Sequence, residues 1–197
     1  MIEAMVKKIE KMLIAGMVDV VLNNYCNYKA VPGATEQELQ EFERDFSVTL
    51  PEDFKELYRY KNGSSYGFDL LFPSFNEDFM EPFYLLSLEE IRKIKSYFFN
   101  RNELLSESGF LTSQDISELD ERIQPYRQNE RWIPFAEVEG YDIYLMMDFD
   151  PSEKGAPGQI ISYIHDPDFI YFVTDNIQDL LRNTIDNHEN GNYRDFF

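Results

Sequence analysis

Trp-Ile-Pro-Phe-Ala (132–136), Tyr-Asp-Ile-Tyr-Leu-Met-Met-Asp-Phe-Asp-Pro (141–151), Gly-Gln-Ile-Ile-Ser-Tyr-Ile-His-Asp (158–166) and Phe-Ile-Tyr-Phe-Val (169–173) are apolar, β-branched and aromatic runs of strand length. Between them lie a Glu-Gly turn, the polar loop 152–157 and an Asp-Pro break, where Gly, Pro and Asp favour reversals. The stretch predicts four consecutive antiparallel strands, a meander forming the sheet on which helices pack. Within it Ile143, Leu145, Met147 and Phe149 alternate with Tyr144, Met146 and Asp148. A period of two places Asp148 on the face of Tyr144 and Met146, opposite Phe149. Together with the helical patterns elsewhere, this predicts an α+β domain.

Upstream, Ile2, Met5, Val6, Ile9, Met12, Leu13, Met17, Val20 and Val21 repeat at helical spacing, predicting one amphipathic helix to about Leu22 within an N-terminal segment 1–30. Its methionine stripe reads as core packing against a sheet. After the Pro32-Gly33 break, Thr35 and Glu38 form a capping box for a helix facing inward with Leu39, Phe42 and Phe46. Pro51 stands in the first turn of the next helix, whose inner face is Phe54, Leu57 and Tyr58, and Gly63 stops it. One or two strands follow, over Phe68–Phe72 and Phe83–Leu86. Ser87 and Glu90 make a second capping box, with Leu88, Ile91, Ile94 and Phe98 inward. Residues 100–130 are charged, with a weak helical pattern at Ile116, Leu119 and Ile123, and read as a surface excursion. A last helix from Asp175 buries Ile177, Leu180, Leu181 and Ile185.

A chain of 197 residues with 43% hydrophobic content can bury a real core as a single domain. Net charge is -19, and residues 132–197 carry -10 of it. Such a field repels nucleic acid and anionic membrane and attracts cations or basic proteins; solubility alone is the competing reading. The single cysteine, Cys26, excludes an internal disulfide and a cysteine-based zinc site. No apolar run reaches the roughly 20 residues of a membrane span, and the N-terminal stretch is too interrupted by charge for a signal peptide. A cytoplasmic location is the expectation.

Three blocks in series resemble the SUKH superfamily, named partly for the yeast Smi/Knr cell-wall-synthesis regulators. The first runs from Gly33-Ala34-Thr35-Glu36-Gln37-Glu38-Leu39 through Leu50-Pro51-Glu52-Asp53-Phe54 to Tyr60-Lys61-Asn62-Gly63. The second is Trp132-Ile133-Pro134-Phe135-Ala136, and the third is Asp148-Phe149-Asp150-Pro151 with Pro157-Gly158-Gln159-Ile160 and His165-Asp166. The resemblance spans about Pro32 to Ile185, and the chain departs from it in the N-terminal helix and in 100–130. It implies a curved antiparallel sheet with helices around it and a non-enzymatic binding role without cofactor. Many bacterial members are immunity proteins that neutralise toxins, often nucleases; the yeast regulators act as signalling scaffolds. Among the motif positions, Thr35, Pro51, Gly63, Trp132, Pro134, Phe135, Asp148 and Gly158 read as structural.

Catalysis needs a supported nucleophile or acid–base pair. His165-Asp166 is the best local pair, but neighbours on a strand face opposite ways; His188 has no evident partner in sequence. Asp148, Asp150 and Ser152 match the start of a calcium loop, yet Glu153 replaces the required Gly and Gln159 the final Glu. The loop therefore reads as a strand-end turn, and no metal or cofactor is expected. Trp132 reads as a core anchor rather than an exposed recognition residue. For Asp148, structural use and binding stay equally open. The candidate partner-binding residues are Glu137, Glu139 and Asp142 at the first turn, Asp150 and Glu153 at the second, and Asp166 and Asp168 at the third. Turns one and three of a meander share one end of the sheet, so their carboxylates could form one patch for a toxin with a basic active cleft.

Overall fold

The computed structural model describes residues 1–15, 19–76, 79–109, 111–166 and 168–191. Its helices are α1 (Ile2–Ala15), α2 (Asp19–Ala30), α3 (Glu36–Phe46), α4 (Glu52–Tyr60), α5 (Leu88–Tyr97), α6 (Ser113–Ser117) and α7 (Ile177–Glu189). Strands β1 (Asp69–Leu71), β2 (Ser74–Asn76), β3 (Phe79–Met80) and β4 (Phe83–Leu85) precede the short β5 (Glu103–Leu104) and β6 (Tyr126–Gln128). The meander follows as β7 (Trp132–Glu137), β8 (Ile143–Asp148), β9 (Gln159–Ile164) and β10 (Phe169–Thr174).

The expected meander forms the greater part of a six-stranded antiparallel sheet, in the order β1-β4-β7-β8-β9-β10, curled into a half-barrel. Both faces of β8 are buried. Ile143, Leu145 and Met147 join the main core with residues of α1, α3, α4, α5 and α7. Tyr144 and Met146 join a second core on the other face. Pro134 sits in a central strand, where a proline costs a ladder hydrogen bond. The register between β7 and β8 slips between Pro134 and Ala136, so a bulge accommodates it. Phe135, within the bulge, is buried edge-on to Phe54 of α4 (6.1 Å), and its carbonyl accepts from Leu86 N (2.9 Å).

Local signals place most helices. Thr35 Oγ1 accepts from Glu38 N (3.2 Å) while Glu38 Oε2 accepts from Thr35 N (2.7 Å), and Ser87 with Glu90 repeats the arrangement. Thr35→Ala is expected to cost about 1 kcal/mol in denaturant unfolding, the usual loss for a cap. A variant that melts like the parent but loses partner binding would instead put Thr35 in a binding surface.

Several details differ from the expectations. The single N-terminal helix is two helices, because α1 ends at Ala15 and α2 begins at Asp19; Met17 lies outside the described residues. The inner face of α1, Ile2, Val6, Ile9 and Leu13, is as expected. Pro51 is the N-cap of α4 rather than a first-turn residue, and α4 is capped at its end by extended Lys61. Gly63 therefore does not stop the helix. Its φ of +96° and the closeness of Ser87 N, 2.9 Å from where a Cβ would stand, make it a crossing point onto α5. Gly158 likewise has φ +92°, and a Cβ there would meet Pro51 Cγ at 2.9 Å, so these two motif residues form one joint. Phe98, expected inward, is exposed, and Phe99 is buried in its place. The cause is the helix end: α5 stops at Tyr97, Phe98 is extended, and the helical period no longer applies. The last helix starts one residue later than expected, with Asn176 as its cap.

The largest correction concerns residues 100–130. The described ones, 100–109 and 111–130, are not a surface excursion but a strap across the second face of the sheet. Leu105 and Ile123 are buried there with Phe99, Trp132, Tyr144, Met146, Ile161, Tyr163 and Ile170, and Ile116 and Leu119 pack against that cluster.

Candidate functional site

Register puts Asp148 beside Trp132 on β7 and Gln159 on β9. The Asp148 carboxylate is buried and accepts from Trp132 Nε1 (3.1 Å), Gln159 Nε2 (3.0 Å) and Asp150 N (2.8 Å). Trp132 is fully buried, as expected of a core anchor. Gln159 also donates to Arg122 O (3.0 Å), tying the strap to this cluster. Burial pushes the Asp148 carboxyl up to about 6, against the opposing pull of its three donors. A folded pKa above the unfolded carboxylate value means that this group's contribution is fully present below about pH 4 and is lost as pH rises through about 6. Between those limits the stability difference between parent and Asp148→Asn should therefore change with pH, falling on the parent's side as pH rises. Parallel pH profiles of the two proteins would sink that assignment.

The candidate partner-binding residues divide by position. Turns one and three meet: His165 N donates to Asp142 O (3.2 Å), so both belong to one end of the sheet. Glu139, Asp142 and Asp166 are exposed there. Glu137 is half-buried, accepts from the Tyr84 hydroxyl (2.8 Å) and is raised by burial. Asp168 is drawn inward, accepting from Tyr163 OH (2.6 Å) and Arg127 Nη1 (3.3 Å) and pairing with His165 Nδ1 (2.6 Å). Burial opposes its ionisation, yet the bonds from Tyr163 and His165, with the charges of His165 and Arg127, hold it below the usual carboxylate range. His165 is raised in turn, chiefly by its bond to Asp168. At the opposite end, in turn two, Asp150 accepts from Asn129 Nδ2 (2.8 Å) and Gln124 Nε2 (3.3 Å), while Glu153 is exposed.

Sequence reasoning did not single out the aromatic members of the first end. Tyr66 and Tyr141 are 62% and 66% exposed, a degree unusual for such large rings. Tyr66 packs edge-on to Tyr84 at 5.8 Å, and the nearby Glu139 raises its phenol above the ordinary value. Asp69 lies close by; its Oδ1 is buried without a hydrogen-bond partner, and burial followed by the charge of Glu139 pushes it up to about 6. Nothing in local spacing could have joined residues 66–69 to residues 137–142, because β4 intervenes in the sheet.

His165 and Asp166, set aside from sequence because neighbours on a strand face opposite ways, do not pair; His165 pairs with Asp168 across the turn, and Asp166 has φ +60°. His188 lies beside Phe72 (6.1 Å between rings), and burial pushes it down to about 4, which keeps it neutral. Among the described residues no group of three or more His, Cys, Asp or Glu is arranged to hold a metal ion. No helix among them is long and apolar enough to cross a membrane.

A curled antiparallel sheet flanked by helices, fastened by Pro51–Gly158, Gly63–Ser87 and the Trp132–Asp148–Gln159 cluster, defines an α+β domain of the SUKH type. The chain belongs to the SMI1 / KNR4 family (SUKH-1), whose sequence profile matches residues 33–183. That match takes in the sheet, the strap and α3 to α5, and leaves α1 and α2 outside. No curated protein matches the chain.

Proposed function

We propose that this chain is a protein-binding module, without catalytic activity of its own, that acts as an immunity protein against a toxin with a basic cleft, most simply a nuclease. The observation that carries the reading is the end of the sheet where exposed Glu139, Asp142 and Asp166 lie with exposed Tyr66 and Tyr141 in a chain of net charge -19. Tyrosine gives contact area at small entropic cost, and carboxylates give opposed fields that steer a cationic partner into place. A nuclease must bind a polyanion, so its cleft presents the charge this end complements. A cytoplasmic site of action and a lack of direct nucleic-acid or membrane binding go with the same reading. Family membership supports a binding role, and a Smi/Knr-type regulatory scaffold is the alternative it leaves.

The test begins with the neighbouring genes. An adjacent toxin gene ending in a nuclease-like domain favours immunity; co-expression should then protect cells. Reversing Glu139, Asp142 and Asp166 to Lys should slow association with that toxin by roughly 10-fold or more at low salt and flatten its salt dependence. Asp168 is left intact because Lys there would face Arg127. An unchanged association rate across salt concentrations in the folded variant would remove this end of the sheet as the interface.

A further inference from the structure

The strap leaves the helical body and returns to it at one point, and a single ammonium sits there. Lys95, in the last turn of α5, is 7% exposed. Its Nζ donates to the carbonyl of Phe99, where the strap departs, and to those of Glu130 (2.8 Å) and Trp132 (3.0 Å), where it returns. The strap is closed across its own base. Gln128 Oε1 accepts from Phe99 N (3.3 Å), Asn102 Oδ1 from Glu130 N (2.9 Å) and Pro125 O from Leu105 N (2.9 Å), and β5 pairs with β6. These bonds would survive a movement of the strap as a unit; the bonds of Lys95 to Phe99 and Glu130 would not, while its bond to Trp132 stays with the sheet.

Two further features mark the neck as a hinge. Phe99 is held at φ +54°, a left-handed conformation that a bulky side chain adopts only when its surroundings force it. The apolar groups beneath the strap form a cluster separate from the main core, with the sheet between them. Uncovering one face therefore leaves α1, α3, α4 and α7 packed on the other. The strap's remaining ties are the apolar contacts of Leu105, Ile123, Ile116 and Leu119 with the second-face cluster, and polar links at its far side. Among the polar links are the bonds that Arg122 O accepts from Ser152 N (3.0 Å) and Gln159 Nε2 (3.0 Å), those of Asn129 and Gln124 to Asp150, and the ion pairs Arg127–Asp168 and Lys154–Glu121. An exposed pair such as Lys154–Glu121 contributes little.

We propose that the strap, residues 99–109 and 111–131, is a separately opening unit latched by Lys95, whose release uncovers the sheet face of Tyr144, Met146, Ile161, Tyr163 and Ile170 while the helical core stays folded. Burial pushes the ammonium down to about 8, with Glu130 opposing and Arg131 adding to the effect, so the closed neck holds its cation at a cost.

Hydrogen exchange of the full chain, read by mass spectrometry, tests this. In Lys95→Met, peptides from 103–109 and 111–124 should exchange about 10- to 100-fold faster, the range for losing hydrogen bonds to a charged donor. Peptides from α1 and α7 should keep their rates. Trp132, the chain's one tryptophan, should become more accessible to acrylamide in the same variant, with helical circular dichroism retained. Strap and helices losing protection together, or strap rates unchanged, would overturn the proposal. Should Lys95→Met fail to fold, the unsubstituted chain in rising sub-denaturing urea decides it. The strap should then open through a lower-energy, less urea-dependent transition than α1 and α7; one shared transition would overturn it.

Discussion

Trp132→Ala is expected to lower the unfolding free energy by about 3–5 kcal/mol, the range for removing a fully buried large aromatic. Three losses coincide at this position. The indole leaves a cavity between the sheet and the strap, in the cluster it shares with Phe99, Leu105 and Ile123. Its Nε1 no longer donates to Asp148, so a carboxylate already raised by burial loses one of its three donors. Asp148 also holds Asp150 N, so the entry to turn two is loosened. Trp132→Phe separates the terms: it restores much of the volume and leaves the missing donor, for which about 1–3 kcal/mol is expected. Denaturant unfolding followed by circular dichroism measures both. A Trp132→Ala protein within 1 kcal/mol of the parent would mean that this residue is not a core anchor.

Leu105→Ala should destabilise the protein by about 2–5 kcal/mol although it lies in a stretch that reads as polar and charged. Its neighbour provides the control. Leu104 is 39% exposed, and Leu104→Ala should stay within about 0.5 kcal/mol. Following unfolding by Trp132 emission reports on the face that the strap covers. Equal effects of the two substitutions would return residues 100–130 to the status of a surface excursion. A large effect at 105 alone requires the strap to be part of the core.

The meander was legible because β-branched and aromatic runs cut by turn residues leave few alternatives to short antiparallel strands, and the placement of Asp148 with Tyr144 and Met146 follows from the pleat alone. Capping boxes at Thr35 and Ser87 marked two helix starts to the residue, since a cap is a bond within four residues. Signals that depend on continuing a period failed where the period ended: Phe98 was expected inward, but the chain is already extended there. At the candidate site, the shared end of turns one and three followed from topology. Which carboxylates stay exposed did not. Glu137, Asp150 and Asp168 are engaged by Tyr84, by Asn129 and Gln124, and by Tyr163, His165 and Arg127, all but His165 remote or on other elements.

By itself, then, the sequence determined the α+β class, the meander with its facing pattern, the helix starts at Thr35 and Ser87 and the family blocks, because each is written in contacts between residues close along the chain. Tertiary structure alone decided that β8 is buried on both sides, that a charged segment covers the second face, and that Lys95 spends its ammonium on three carbonyls. It also decided that Gly63 and Gly158 matter for what they touch, Ser87 and Pro51, rather than for the helix or turn they stand beside. The physical reason is the same in each case. Burial and partner choice are set by groups that meet through space, and a charged or irregular segment gives no periodic sign of the surface it will cover.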